Sequence, residues 1–218
     1  MAGLGERLAA VRERIATAGG DPRSITLVAV TKDFDADVVN DAIGNGLDVL
    51  GENRADQLAA KAQAVSEDVQ WHFLGRVQRN QVRKIAPYVS LWQAVDRVAA
   101  GEEIAKRAPG AAVLVQVNIS GEPQKHGAHE DDVPALVDAL VGLGLDVRGL
   151  MAVGPTGPPE TARSGFRNLT ALADRLTLPV RSMGMTDDLE VAVQEGSTML
   201  RIGRGLFGPR PDGRDLRR

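Results

Sequence analysis

Eight short apolar or β-branched runs alternate with helix-sized segments along the 218 residues, and this alternation leaves the chain very few folds to choose from. The runs are ITLVAV from Ile25, LDVLGEN from Leu47, WHFLG from Trp71, SLWQAV from Ser90, AAVLVQVNIS from Ala111, DVRGLMAV from Asp146, PVRSMGM from Pro179 and TMLRIG from Thr198. None alternates strictly between polar and apolar residues, so they are predicted as strands covered on both faces. Between them lie helical stripes: Leu4, Leu8, Val11 and Ile15 before the first strand; Val133, Leu136, Val137 and Leu140 after the fifth; Phe166, Leu169, Ala173 and Leu176 after the sixth. Strand-then-helix order implies parallel strands joined by right-handed crossovers. Eight such units close into a (β/α)8 TIM barrel, here with an extra N-terminal helix. The alternative is an open doubly wound sheet. That fold more often places a glycine-rich phosphate loop after its first strand, where this chain has Thr31-Lys32-Asp33.

No linker interrupts the pattern, so one barrel domain is expected over residues 1–208, with 209–218 as a polar tail. The formal net charge of −3 offers no basic excess for nucleic acid. Cysteine is absent, which excludes disulfides and thiolate chemistry and permits a reducing compartment. Glu6, Arg7, Arg12, Glu13 and Arg14 interrupt any apolar leader, and no run approaches the roughly 18 apolar residues of a membrane span. A soluble, cytoplasmic protein without a membrane partner is the expectation. His126 and His129 are expected in solvent, no histidine pair shares ligand spacing with an acid, and no metal is expected.

In this fold chemistry sits at the C-terminal ends of the strands. The first strand delivers Lys32 there, and a partly buried lysine can supply the neutral amine that forms an imine with an aldehyde. Taken alone, Lys32 is more often a surface lysine starting a loop. The seventh strand ends in Ser182, Met183, Gly184 and Met185, and the eighth in Arg201, Ile202, Gly203, Arg204 and Gly205. The loops after these two strands are the habitual phosphate site of the barrel, although Gly203, Gly205 and Gly208 could equally serve only tight packing. Together the features outline a site for pyridoxal 5′-phosphate (PLP): an amine for its aldehyde, a cradle for its phosphate, and Arg201 for its ring nitrogen. A guanidinium cannot accept a hydrogen bond, so the facing nitrogen would stay unprotonated and the ring would be a weak electron sink. Asn53 is a candidate for the ring-hydroxyl region or for capping the next helix; His72 is a candidate pocket residue or a satisfied core histidine. Asp187 and Asp188 read as the start of a helix.

The motifs LVAVTK, GEN, WHFLGRVQRNQ, VQVNISGEPQKHG, RGLMAV, SMGMTDD and GSTMLRIGRGLFG span nearly the whole chain and resemble the YggS/PROSC family of pyridoxal phosphate homeostasis proteins. The resemblance implies a barrel like the alanine racemase N-terminal domain. It makes Lys32 the Schiff-base lysine, and Ser182, Gly184, Gly203 and Arg204 the phosphate cradle, the last two mainly through backbone. Arg201 becomes the ring-nitrogen partner and Met151 a residue packing near the ring. It further implies intracellular buffering or delivery of PLP to apo PLP-dependent enzymes, without established turnover. Lys125 matches a second lysine at the mouth, a candidate for PLP transfer. The chain departs from the family pattern at Asp33, beside the lysine, and at Arg204, where a hydroxyl residue is common.

Two enzyme readings compete. Alanine racemases and group-III decarboxylases share the barrel, but they add a C-terminal β-domain and a second catalytic residue across a dimer. Here the eighth strand finishes near Phe207, so a monomeric carrier is expected. The single tyrosine, Tyr88, offers no justified catalytic placement. A Schiff-base aldolase would use the same lysine and phosphate site but leaves Arg201 unexplained.

Overall fold

Each apolar run becomes a strand, but the C-terminal end of most of them does not. The computed structural model describes residues 3–65, 69–122 and 125–209. The strands are β1 (Thr26–Val30), β2 (Val49–Glu52), β3 (Gln70–Phe73), β4 (Val89–Val95), β5 (Ala112–Gln116), β6 (Asp146–Met151), β7 (Val180–Ser182) and β8 (Met199–Ile202). They form a closed parallel barrel in sequence order. β1 seals it against β8, in register from Thr26↔Met199 to Ala29↔Ile202. The residues left over, among them Asn53, Val117 to Ser120, Met183 to Met185 and Gly203, turn outward into the loops of the mouth. Of the tail expected from 209 onward, only Pro209 falls among the described residues.

The helices are α1 (Leu4–Thr17), α2 (Ala36–Gly44), α3 (Ala55–Ala64), α4 (Arg79–Ile85), α5 (Val98–Arg107), α6 (Val133–Gly142), α7 (Arg163–Arg175), α8 (Leu189–Gln194) and α9 (Arg204–Phe207). Side chains alternate across each strand, so two apolar layers result. Leu50, Phe73, Trp92, Leu150 and Leu200 face the helices. Val28, Val49, Leu91, Leu114, Met151 and Met199 fill the barrel. Phe73 and Trp92 meet edge to face at 5.7 Å. No helix among the described residues is long and apolar enough to cross a membrane.

The extra helix α1 buries the whole predicted stripe of Leu4, Leu8, Val11 and Ile15. It also braces the mouth. Arg14 ion-pairs with Glu190 at 2.6 Å and donates to the Thr186 carbonyl at 2.8 Å. Arg7 donates through Nε to the Leu206 carbonyl. Both loops that follow β7 and β8 are thereby tied to one rigid element.

Candidate functional site

Thr31 continues the β1 ladder one step past the strand, its N–H donating to the Gly51 carbonyl at 3.0 Å. Its hydroxyl points away from the barrel, donating to Glu52 Oε1 at 2.9 Å. Val28 faces the barrel interior. By the same alternation Lys32, half-buried, lies on the barrel side of the chain. The next residue, Asp33, takes a φ of 67°, and the Phe34 N–H closes the turn onto the Thr31 carbonyl at 3.1 Å. On the neighbouring strand, a Cβ built on Gly203 would come 3.4 Å from the Val30 carbonyl oxygen. Lys32 is two residues beyond Val30, roughly 7 Å along an extended chain. Amine and glycine loop therefore share one edge of the mouth.

Below them runs a chain of buried polar groups. Arg201 is 5 % exposed and donates to the Ser182 carbonyl at 2.7 Å, to Ser182 Oγ at 2.7 Å and to the Ala152 carbonyl at 2.8 Å. Ser182 Oγ donates onward to Gln93 Oε1 at 2.6 Å, and Gln93 Nε2 meets His72 Nδ1 at 2.8 Å. A guanidinium has five N–H donors. Three serve these bonds, which leaves Nε–H and one NH2 proton for a ligand. Burial pulls the Arg201 pKa down to about 10, opposed by the charge of Asp188, and the group stays cationic at neutral pH.

The geometry bears on three of the expected site residues. The Ser182 hydroxyl, expected in the anion cradle, is fully buried, and its proton is committed to Gln93. Gly184 is required by packing, since at φ 94° a Cβ there would meet Ala192 at 2.4 Å and Leu200 at 2.7 Å. His72 is a satisfied core histidine rather than a pocket wall, 4 % exposed and bonded to Gln93. Gln93 was missed altogether, because a glutamine inside an apolar strand gives no sign of which face it occupies.

A second hydroxyl, that of Thr186, lies at the rim next to the loop after β8. Its Oγ1 accepts the Gly205 N–H at 3.0 Å, which leaves the hydroxyl proton to donate, and it stands beside the backbone of residues 203–205. The SMGMTDD motif contains this threonine, but the two aspartates after it point to a helix start and not to a rim hydroxyl. Asp188, expected to cap α8, makes no cap bond; its Oδ1 instead accepts the Met185 N–H at 2.6 Å. Arg204 pairs with Asp187 at an exposed position. Asn53 is exposed at the mouth, and the residue capping α3 is Arg54. Met151 lies in the barrel interior, 2 % exposed. Lys125 is on the far rim, donating to the Gly154 carbonyl at 2.9 Å and to Glu122 at 2.8 Å. It borders a cavity of about 230 Å³ with Gln116, Asn118 and His126.

Burial, with Arg148 adding positive charge, lowers the His72 pKa from 6.5 to about 4. Between those values the unfolded chain binds a proton that the folded chain does not, so stability falls as pH drops through the window. The full loss is about 3 kcal/mol. Urea midpoints at pH 7 and pH 4.5 should separate less for His72→Gln than for the parent; an equal separation would assign the acid sensitivity to another group.

Residues 7–211 match the family model described as alanine racemase, N-terminal domain. A Pseudomonas aeruginosa protein named pyridoxal phosphate homeostasis protein is 38% identical over 214 residues, covering 94% of this chain and 93% of that one. PipY of Synechococcus elongatus PCC7942, solved with PLP bound, is 30% identical with a TM-score of 0.84, covering 94% of this chain and 100% of that chain. An alanine racemase of Clostridium difficile 630 shares the fold at a TM-score of 0.73 and 13% identity, with 57% of its length covered. A barrel closed in sequence order, carrying the motifs of its mouth at the ends of β1, β7 and β8, thus belongs to the alanine racemase N-terminal domain family and, within it, to the pyridoxal phosphate homeostasis proteins.

Proposed function

We propose that this chain binds pyridoxal 5′-phosphate at the C-terminal mouth of the barrel, anchored covalently on Lys32, and buffers or delivers it rather than turning over a substrate. The observation that carries the reading is the pairing of β1 with β8, which sets Lys32 and the Gly203 loop side by side. When bound, the cofactor supplies an aldehyde that condenses with a primary amine. The donor set fits it. Lys32 is the amine. The Thr186 hydroxyl and the backbone of Gly203 and Arg204 would hold the phosphate. The two remaining donors of Arg201 would serve the ring nitrogen and disfavour its protonation. Asn53 would serve the ring hydroxyl from the exposed rim, with Met151 contributing an apolar wall.

The relatives' names describe homeostasis, not catalysis. Racemisation needs a second proton donor on the opposite ring face. Tyr88 does not supply it: it precedes β4, at the other end of the barrel, and bonds Gln63 at 3.1 Å. A monomeric, cytoplasmic carrier that hands PLP to apo-enzymes is the reading this favours.

Borohydride reduction of the PLP-loaded protein followed by peptide mapping should place a pyridoxyl group on Lys32; a group on any other lysine overturns the assignment. Lys125, tethered to the carbonyl of Gly154 across the mouth, is assigned to release. Lys125→Ala should slow transfer to an apo-enzyme with unchanged PLP affinity, and an unchanged transfer rate removes Lys125 from the path.

A further inference from the structure

The residues on both sides of Lys32 are held by one face of one helix. Gln57 and Lys61 stand four apart on α3, so their side chains leave the same face a turn apart. Gln57 Oε1 accepts the Asp33 N–H at 3.0 Å, and its Nε2 lies 3.5 Å from Asp33 Oδ1. Lys61 Nζ donates to the Thr31 carbonyl at 2.7 Å and to Glu52 of β2. That carbonyl is the one that closes the turn through Phe34. Lys61 and Glu52 are almost fully removed from solvent, with side-chain exposures of 6% and 0%. Glu52 also accepts the Thr31 hydroxyl. Asp33 meanwhile sits in the left-handed region, which costs a non-glycine residue about 1 kcal/mol or more and persists only where surroundings enforce it.

We propose that Gln57 and Lys61, with Glu52 as the buried counter-charge, are positioning residues that fix the direction of the Lys32 amine for attachment of the cofactor. The proposal rests on the reading of Lys32 as the anchor. A lysine side chain carries about 2 kcal/mol of rotamer entropy and gains nothing from a backbone that also swings. Pinning the peptides before and after it leaves only the side chain to be ordered, and attack on a carbonyl is sensitive to placement at the level of an ångström. A buried ion pair is a poor source of stability but a strong source of geometry: both charges must find each other, and here the ammonium brings the Thr31 carbonyl with it. The clamp touches neither the phosphate loop nor Arg201, so it acts on attachment and not on anion binding.

Gln57 is half-buried, so Gln57→Ala should fold. In cofactor-free protein, hydrogen exchange at the Asp33 amide should quicken while strand amides stay protected. With PLP, the rate of borohydride-trappable attachment at Lys32 should fall about tenfold, the equivalent of one lost hydrogen bond of about 1.4 kcal/mol. Affinity for inorganic phosphate should not move. The double variant Asp33→Asn/Gln57→Glu restores a donor–acceptor pair with the roles exchanged, and asparagine tolerates the left-handed region, so attachment should recover. Glu52→Gln/Lys61→Met removes the pair without stranding a charge and should slow attachment likewise. Attachment in the parent at a lysine other than Lys32 overturns the anchor and the clamp together. Attachment at Lys32 with parental rates in Gln57→Ala and in the Glu52→Gln/Lys61→Met protein overturns the clamp alone.

Discussion

Lys32→Ala protein should retain pyridoxal phosphate only as a reversible ligand, with no borohydride-stable adduct on the protein. The proposed phosphate donors, the Thr186 hydroxyl and the backbone of Gly203 and Arg204, remain in place, and so does Arg201, so binding should weaken rather than vanish. The expected loss is on the order of a hundredfold in Kd, about 2.7 kcal/mol. Melting temperature without cofactor should stay close to that of the parent, because the side chain is half-buried at a rim turn and the turn is closed by backbone and by α3. Equilibrium dialysis against PLP, with the reduced adduct counted by mass, reads both effects. A reducible adduct at parental yield in this variant would move the anchor elsewhere, and a collapse of the fold would make the lysine structural.

The second large effect is one of stability. Lys61→Met should destabilise the protein by about 3–5 kcal/mol, because it leaves the Glu52 carboxylate in a buried site without its cation. Burial already raises the Glu52 pKa, and the Lys61 ammonium offsets part of that rise. With Lys61 gone the folded-state value climbs further. The folded variant then binds a proton that its unfolded chain has released, so its stability falls as pH rises from the ordinary carboxylate range toward the shifted value. The defect should be mild near pH 4 and fullest at pH 8. Adding Glu52→Gln should recover most of the loss and flatten the pH dependence. Denaturant midpoints of the three proteins at both pH values decide this; a loss indifferent to pH would mean that packing of the Lys61 stem, not the stranded charge, is responsible.

Gln57 and Lys61 divide what α3 does for the turn at Lys32 from what it does for the fold. Lys61 contributes to both, Gln57 to the turn alone. Arg201 shows a different balance: it holds the Ala152 and Ser182 carbonyls across the tops of β6, β7 and β8, yet its pKa is lowered, so its burial weakens the fold in order to keep a cation under the mouth.

The pattern of eight runs and intervening stripes determined the barrel by itself, because parallel strands covered on both faces must be apolar throughout and the crossovers between them must be helices. Lys32, Arg201 and Gly203 stood out as candidates for a related reason: charged or flexible residues are uncommon in such runs, although Arg201 lies buried within β8 and not past its end. The same physics hid the rest. A strand buried on both sides shows no alternation, so nothing in TMLRIG, SLWQAV or PVRSMGM says which residues point into the barrel and which toward the helices. A shift of one residue in that phase moves Ser182 from the mouth to the interior, gives Gln93 its place between His72 and Arg201, and leaves Thr186 as the hydroxyl at the rim. Only closure of the barrel, which fixes the register of all eight strands at once, decided that phase, and with it brought Lys61 from a helix interior to the carbonyl beside Lys32.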